Sequence, residues 1–176
     1  MDKRSLAAPG ISIDLDTQIR IGALRYCEPA DVEAALRLVS GSTVPETRRA
    51  VLATALPGGE SLLLLWRSPS ETLVASAETA PLAALAAGLA AAAQACFVDQ
   101  SGGFWALRIT GPKAVDLLVR LGATTSVPRP GESLPARLAD LSVLSACVRE
   151  HEVLLFVERL YADHLLGWIG ETIADF

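Results

Sequence analysis

The sequence predicts an α+β fold made of two duplicated split βαβ units, and three observations carry that prediction. First, "ALRYCEPADVEAALRLV" (23–39) returns as "ALRITGPKAVDLLVRLG" (106–122) at a constant offset of 83 residues, matching Ala23 with Ala106, Arg25 with Arg108 and Pro29 with Pro112. Second, each copy reads as a strand running into a helix. An alternating apolar and polar stretch meets a proline at the first helical turn, where the missing N–H would have no helical partner. Third, "LLLLWRSPSETLVAS" (62–76) and "VLSACVREHEVLLFV" (143–157) are both two apolar runs around a polar turn, with Glu71 over Glu152. Each reads as a β-hairpin leading into a helix. A repeat of roughly 80 residues is too long for a solenoid unit and suits a duplicated split βαβ unit.

The repeat sets the expected organisation: an N-terminal extension at 1–17, then a single domain at 18–176 with halves at about 18–95 and about 96–176. Within the first half we expect a strand at 18–26, a helix at 29–39 and a strand at 48–56 ended by "PGG", followed by the hairpin and an alanine-rich helix at 79–95. The second half should hold strands at 96–99 and 104–110 and a helix at 112–122. An irregular connection follows at 124–135, where prolines and a glycine interrupt regular structure. Strands at 136–141, 143–150 and 152–158 then precede a helix at 159–174. Helical spacing puts Val32, Ala35, Leu36 and Val39 on one face, and likewise Val115, Leu118, Val119 and Gly122. Tyr161, Leu165, Trp168, Ile169 and Ile173 should line one face of the last helix.

Composition narrows the function classes. With 176 residues, 51% of them hydrophobic, the chain can bury a real core, and its net charge of −5 argues against a nucleic-acid or anionic-membrane surface. The first eighteen residues lack the apolar core of a signal peptide, which points to a cytoplasmic protein. Cys27, Cys96 and Cys147 are odd in number and lack metal-ligand spacing, so buried, reduced thiols are expected. The uncharged run "APLAALAAGLAAAAQACF" (80–97) approaches membrane-span length, but alanine is too weakly hydrophobic, and Leu82, Leu85 and Leu89 suit a helix packed on a sheet.

Templates for catalysis mostly fail: the chain has no Walker loop, GxGxxG, HExxH, GxSxG or CxxC. The two histidines, His151 and His164, are far apart in sequence and fit a solvated turn and a helix surface. "ITGPK" could expose helix N–H groups to an anion, although any tight strand-to-helix turn needs the same residues. Arg108 alternates with Leu107 and Ile109, so it points away from their face toward a partner, a ligand carboxylate or solvent. Asp99 and Ser101 in "FVDQSGG" are turn formers and candidate pocket residues. Trp66 and Trp105 are equally suited to core packing and to an interface.

The run "FVDQSGGFWALRITGPKAVDLLVRLG" resembles the D-x-S, strand, G-P, helix segment of folate-binding aminomethyltransferase-like domains. Together with "SPSETLVAS", the alanine-rich helix, "PGESLPARLADLSVLSACV" and "LLFVERLYADHLLGWIGETI", it is most similar to the gamma-subunit family of heterotetrameric sarcosine oxidases, over about residues 60–176. The resemblance implies two ferredoxin-like halves forming one aminomethyltransferase-like, folate-binding-type domain. It also implies a small subunit that binds no cofactor itself and docks against larger alpha and beta subunits, which carry FAD, FMN, NAD and tetrahydrofolate and oxidise sarcosine to glycine. Catalytic relatives place an acidic residue where this chain has Val143, Leu144 and Ser145, with Asp140 near but out of place. A noncatalytic member is therefore implied. The alternatives are a freestanding folate-binding protein of one-carbon metabolism and a homo-oligomeric interaction module pairing through edge strands.

Overall fold

The structure, a computed structural model, describes residues 5–57, 59–123 and 125–176. Residues 1–4 of the expected extension, Gly58 of "PGG" and Thr124 at the head of the expected irregular connection lie outside them. Among the described residues the order is β1 (Ser5–Ala8), β2 (Ile11–Asp16), β3 (Arg20–Tyr26), α1 (Ala30–Ser40), β4 (Ala50–Thr54), β5 (Ser61–Ser68), β6 (Glu71–Ser76) and α2 (Ala80–Gly88). β7 (Ala95–Asp99), β8 (Phe104–Thr110), α3 (Ala114–Arg120), β9 (Glu132–Leu138), β10 (Leu141–Arg149), β11 (Glu152–Glu158) and α4 (Arg159–Ile173) complete it. The chain forms two compact units: Gln18–Ser101, and the segment through Thr17 with Gly102–Phe176.

The unit Gln18–Ser101 holds an antiparallel sheet in the order β4-β5-β6-β3-β7. Taken from the β7 edge, β7-β3-β6-β5 is the fourth, first, third and second strand of a ferredoxin-like split βαβ pair, with β4 added outside. Helices α1 and α2 bury Val32, Leu36, Leu82 and Leu85 with Leu24, Leu62, Leu64 and Val74 of the sheet. Each leucine taken from water contributes about 1.5–3 kcal/mol. On the other face Ile21, Ala23, Leu65, Leu73 and Ala75 are also buried, which is why "LLLL" runs unbroken instead of alternating. The alanine-rich helix is shorter than expected. Leu89 is its last buried leucine, residues 90–94 are exposed, and β7 starts at Ala95.

The second unit repeats the plan with one exchange. Its sheet runs β1-β2-β8-β11-β10-β9, so β2-β8-β11-β10 has the same four-strand order. The place β7 takes beside β3 is taken beside β8 by β2, from the segment expected to be an extension. The alternation of "ISIDLD" explains this: Ile11, Ile13 and Leu15 are buried while Asp14 and Asp16 face outward. Conversely β7, expected to open the second half, pairs with β3 of the first.

Three further expectations change. On α3 the buried face is Ala114, Leu117, Leu118 and Leu121, whereas Val115 and Val119 are about half exposed. The repeat therefore slips by one residue between strand and helix. α4 buries Ala162, Leu165, Leu166, Ile169 and Ile173 and leaves Tyr161 and Trp168 half exposed. β9 occupies 132–138 despite Pro135, because it is an edge strand, where a missing N–H need not break the ladder. Among the described residues no helix is long and apolar enough to cross a membrane.

Candidate functional site

The strand end of β7 builds a cleft with polar and apolar walls in the unit Gln18–Ser101. α2 supplies Leu82, Ala83 and Ala86, β7 supplies Phe97, and Arg20, Thr79, Asp99 and Ser101 complete a cleft of about 350 Å³. Phe97, opposite Leu24 in the ladder, can lay its ring across the sheet because the next β3 residue on that face is Gly22. A β-carbon at Gly22 would stand 2.2 Å from Phe97 Cζ.

Asp99 and Ser101 are brought together as a strand-end staple. The Ser101 amide donates to Asp99 Oδ1 (2.9 Å), while Ser101 Oγ accepts from the Ile21 amide (3.0 Å) and donates to the Ile21 carbonyl (3.2 Å). The Ser101 amide first and its hydroxyl second, with a smaller contribution from the Arg20 charge, hold the Asp99 carboxyl below its ordinary range. Asp99 is therefore a fixed negative charge and acceptor at neutral pH, unsuited to proton exchange with a substrate. With Arg20 and an apolar floor, the cleft can hold a small amphiphilic molecule by contact and charge.

Arg108, the third expected pocket residue, lies on β8 in the other unit and is committed elsewhere. Its guanidinium pairs with Glu152 Oε1, and Arg149 Nε takes Glu152 Oε2 at 2.5 Å. Glu152 is buried, with two half-exposed or more exposed arginines over it. Arg25 and Arg67 clamp Glu71 in the same way, at 3.0 and 2.6 Å. Sequence reasoning paired Arg25 with Arg108 and Glu71 with Glu152 but not each arginine with its glutamate. The repeated Arg and Glu at matched positions was the available signal.

Trp66 on β5 and Trp105 on β8 are both half-buried, neither full core nor free surface. The Arg159 guanidinium lies 5.5 Å from the Trp105 ring centroid, a cation–π distance. The first two amides after the proline of the "ITGPK" turn are already bonded within the chain. Its Lys113 N–H donates to the Gly10 carbonyl (3.2 Å) and the Ala114 N–H to that of Gly111 (3.1 Å). Gly111, at φ 117°, is required there, since a β-carbon would stand 2.3 Å from the Gly10 oxygen.

The segment where the family resemblance would put a catalytic acid, Val143–Ser145, carries no ionisable side chain. Val143, Leu144 and Ser145 are buried in β10, and Ser145 Oγ has no hydrogen-bond partner among the described residues. Asp140 sits in the β9–β10 turn with Ala139. Both have positive φ, as a two-residue hairpin turn demands, and the Asp140 side chain is solvated. His151 occupies the β10–β11 turn at φ 61°, and His164 is exposed on α4. Among the described residues no group of three or more His, Cys, Asp or Glu could hold a metal.

The cysteines divide. Cys147 is buried, and burial pushes its thiol up, helped by the charges of Glu132 and Glu152. Cys27 and Cys96, expected to be buried, are exposed: they lie on the sheet face opposite α1 and α2, at the end where Arg25 also emerges.

No protein-family model and no curated protein matches the chain. Solved structures do match it. The chain is similar to a chain of the heterotetrameric sarcosine oxidase from Corynebacterium sp. U-96, in complex with pyrrole 2-carboxylate, at 20% identity and a TM-score of 0.80, covering 98% of this chain and 88% of that one. It is also similar to the glycine cleavage system aminomethyltransferase T from Bartonella henselae, at 12% identity and a TM-score of 0.70, over 89% of this chain. It spans only 45% of that protein. At these identities the likeness is one of fold, and it agrees with the duplicated α+β architecture expected from the repeat.

Proposed function

We propose that this chain is the noncatalytic gamma subunit of a sarcosine-oxidase-type heterotetrameric flavin oxidase, cytoplasmic, stabilising or docking to the alpha subunit. One observation carries the reading: the fold match runs over nearly the whole of both chains for the oxidase, 98% and 88%, but over less than half of the aminomethyltransferase. A chain of the same extent and fold as an oxidase component is best read as its counterpart. The apolar Val143–Ser145 segment supports a noncatalytic role, since it offers no ionisable group. In this reading FAD, FMN, NAD and tetrahydrofolate belong to the larger alpha and beta subunits, and half-buried Trp66 and Trp105 are the first residues to test at the interface.

The test is purification of the tagged chain from its native cells, with an absorbance spectrum and identification of what it retains. Two larger chains, a flavin spectrum and sarcosine-dependent peroxide production support the proposal; a colourless chain without partners rejects it. The cleft of about 350 Å³ favours a second reading, a freestanding folate-binding protein of one-carbon metabolism. Saturable quenching of tryptophan fluorescence by folate in the isolated chain would support that reading, and no change at millimolar folate would reject it.

A further inference from the structure

The two exposed cysteines are neighbours, although Cys27 and Cys96 are 69 positions apart in sequence. β3 and β7 pair antiparallel with Arg25 opposite Cys96 and Tyr26 opposite Ala95. The ladder continues one step past the named end of β3, because the Cys27 N–H donates to the Gln94 carbonyl at 3.1 Å. Cys27 thus opposes Gln94, and Cys96 lies two residues further along the partner strand. Side chains two apart on a strand share a face, so Arg25, Cys27 and Cys96 all stand on one side, and all three are exposed. Such diagonal partners have Cα atoms about 7–8 Å apart, just above the roughly 4.4–6.8 Å range of disulfides. Closing the gap needs a shift of about 1 Å at the strand end. β7 can supply that shift, because it is the edge strand of its sheet and, among the described residues, pairs in the ladder with β3 alone.

We propose that Cys27 and Cys96 form a redox-active dithiol, oxidised by a peroxide to a reversible disulfide that pins the edge strand β7 to the end of β3. One thiolate attacks a peroxide oxygen. The O–O bond breaks, the departing oxygen leaves as water after taking a proton, and the attacking sulfur becomes a sulfenic acid. The second thiol attacks that sulfur, the S–O bond breaks and a second water leaves. The two sulfurs together lose two electrons and the peroxide gains two. Since β7 also carries Phe97 and Asp99 of the cleft, the disulfide fixes the strand that lines it. Cys147, buried and donating its S–H to the Arg149 carbonyl (3.2 Å), takes no part.

The experiment treats the full chain, reduced and then freed of reductant, with one equivalent of hydrogen peroxide, followed by intact mass, native thiol titration and peptide mapping. The expected result is a mass loss of two hydrogens, loss of both thiols that titrate in the native chain, a linked Cys27–Cys96 peptide within one chain, and full reversal by dithiothreitol. Cys96→Ser should instead leave a Cys27 sulfenic acid that dimedone traps. Two unchanged thiols, independent sulfinic acids, or disulfides only between chains would each overturn the proposal.

Discussion

Glu71 and Glu152 hold the same place in the two units. Each is the first residue after its hairpin loop, facing Ser68 or Arg149 beside a β-bulge, and each gives one carboxylate oxygen to each of two arginines. The first-strand arginine is the matched pair Arg25 and Arg108. The second comes from the hairpin's outgoing strand, one position earlier in the first unit (Arg67) than in the second (Arg149). A clamp kept at both positions explains Arg108 without a ligand.

The clamp should be redundant on its arginine side and not on its glutamate side. Arg108→Ala leaves Arg149 on Glu152 and should cost less than about 1 kcal/mol. Glu152→Gln removes the charge both arginines share and should cost about 1–2 kcal/mol, the half-exposed guanidinium groups recovering part of their hydration. Urea denaturation of both variants checks the order. An Arg108→Ala loss equal to that of Glu152→Gln would contradict it.

Tyr26 and Thr72 form a buried hydroxyl pair at 3.0 Å, with Thr72 fully enclosed. Tyr26→Phe strands the threonine hydroxyl and should cost about 1–3 kcal/mol. Adding Thr72→Val should recover most of the loss, because no polar group is then left unpaired; a double-mutant cycle from thermal melts measures it. Burial raises the Tyr26 pKa, against the lowering effect of the Thr72 hydrogen bond. The folded state therefore holds that proton more tightly than the unfolded chain. This contribution is present below the ordinary tyrosine pKa and lost as pH rises through the raised one.

Asp99 works in the opposite direction. Its carboxyl is held low, first by the Ser101 hydrogen bonds, so the stability it contributes is present above the ordinary carboxylate pKa and lost as pH falls through the lowered value. The difference in stability between the chain and Asp99→Asn should therefore shrink on acidification below about pH 4. A difference that stays constant down to pH 2 would contradict the role given to the Asp99–Ser101 staple.

The cleft depends on the absence of a side chain at Gly22. Gly22→Ala should lower stability by about 1–3 kcal/mol by pushing the Phe97 ring from its place over β3. Combining it with Phe97→Leu should restore part of the loss. Denaturation of the two variants is the check, and an unperturbed Gly22→Ala would mean that Phe97 moves freely.

Much of this architecture was legible because the repeat writes strand, helix and hairpin twice. What escaped has physical reasons. "ISIDLD" alternates plainly, but nothing local says that it will pair with β8, more than ninety residues away; only the vacant edge of β8 selects it. The α3 face was misplaced by one residue because the loops "CEP" and "TGP" enter their helices differently, so a repeat aligned on the strands misaligns the helices. The polar residues split in the same way. Asp99 and Ser101 were recognised as turn formers from their type alone, and the structure joins them to Arg20 and Phe97. Arg108 looked available only because its partner Glu152 lies on another strand, 44 residues on.

The central claim is that the chain is an assembly subunit, and the most direct measurement is made on its partners. The two larger oxidase chains from the same cells are expressed with and without this chain and compared by sedimentation velocity and sarcosine-dependent peroxide production. The account predicts a complete, active complex only when this chain is present, with an unstable or unassembled alpha chain in its absence. A complex of the two larger chains with full activity and stability, from which this chain is excluded, would contradict it.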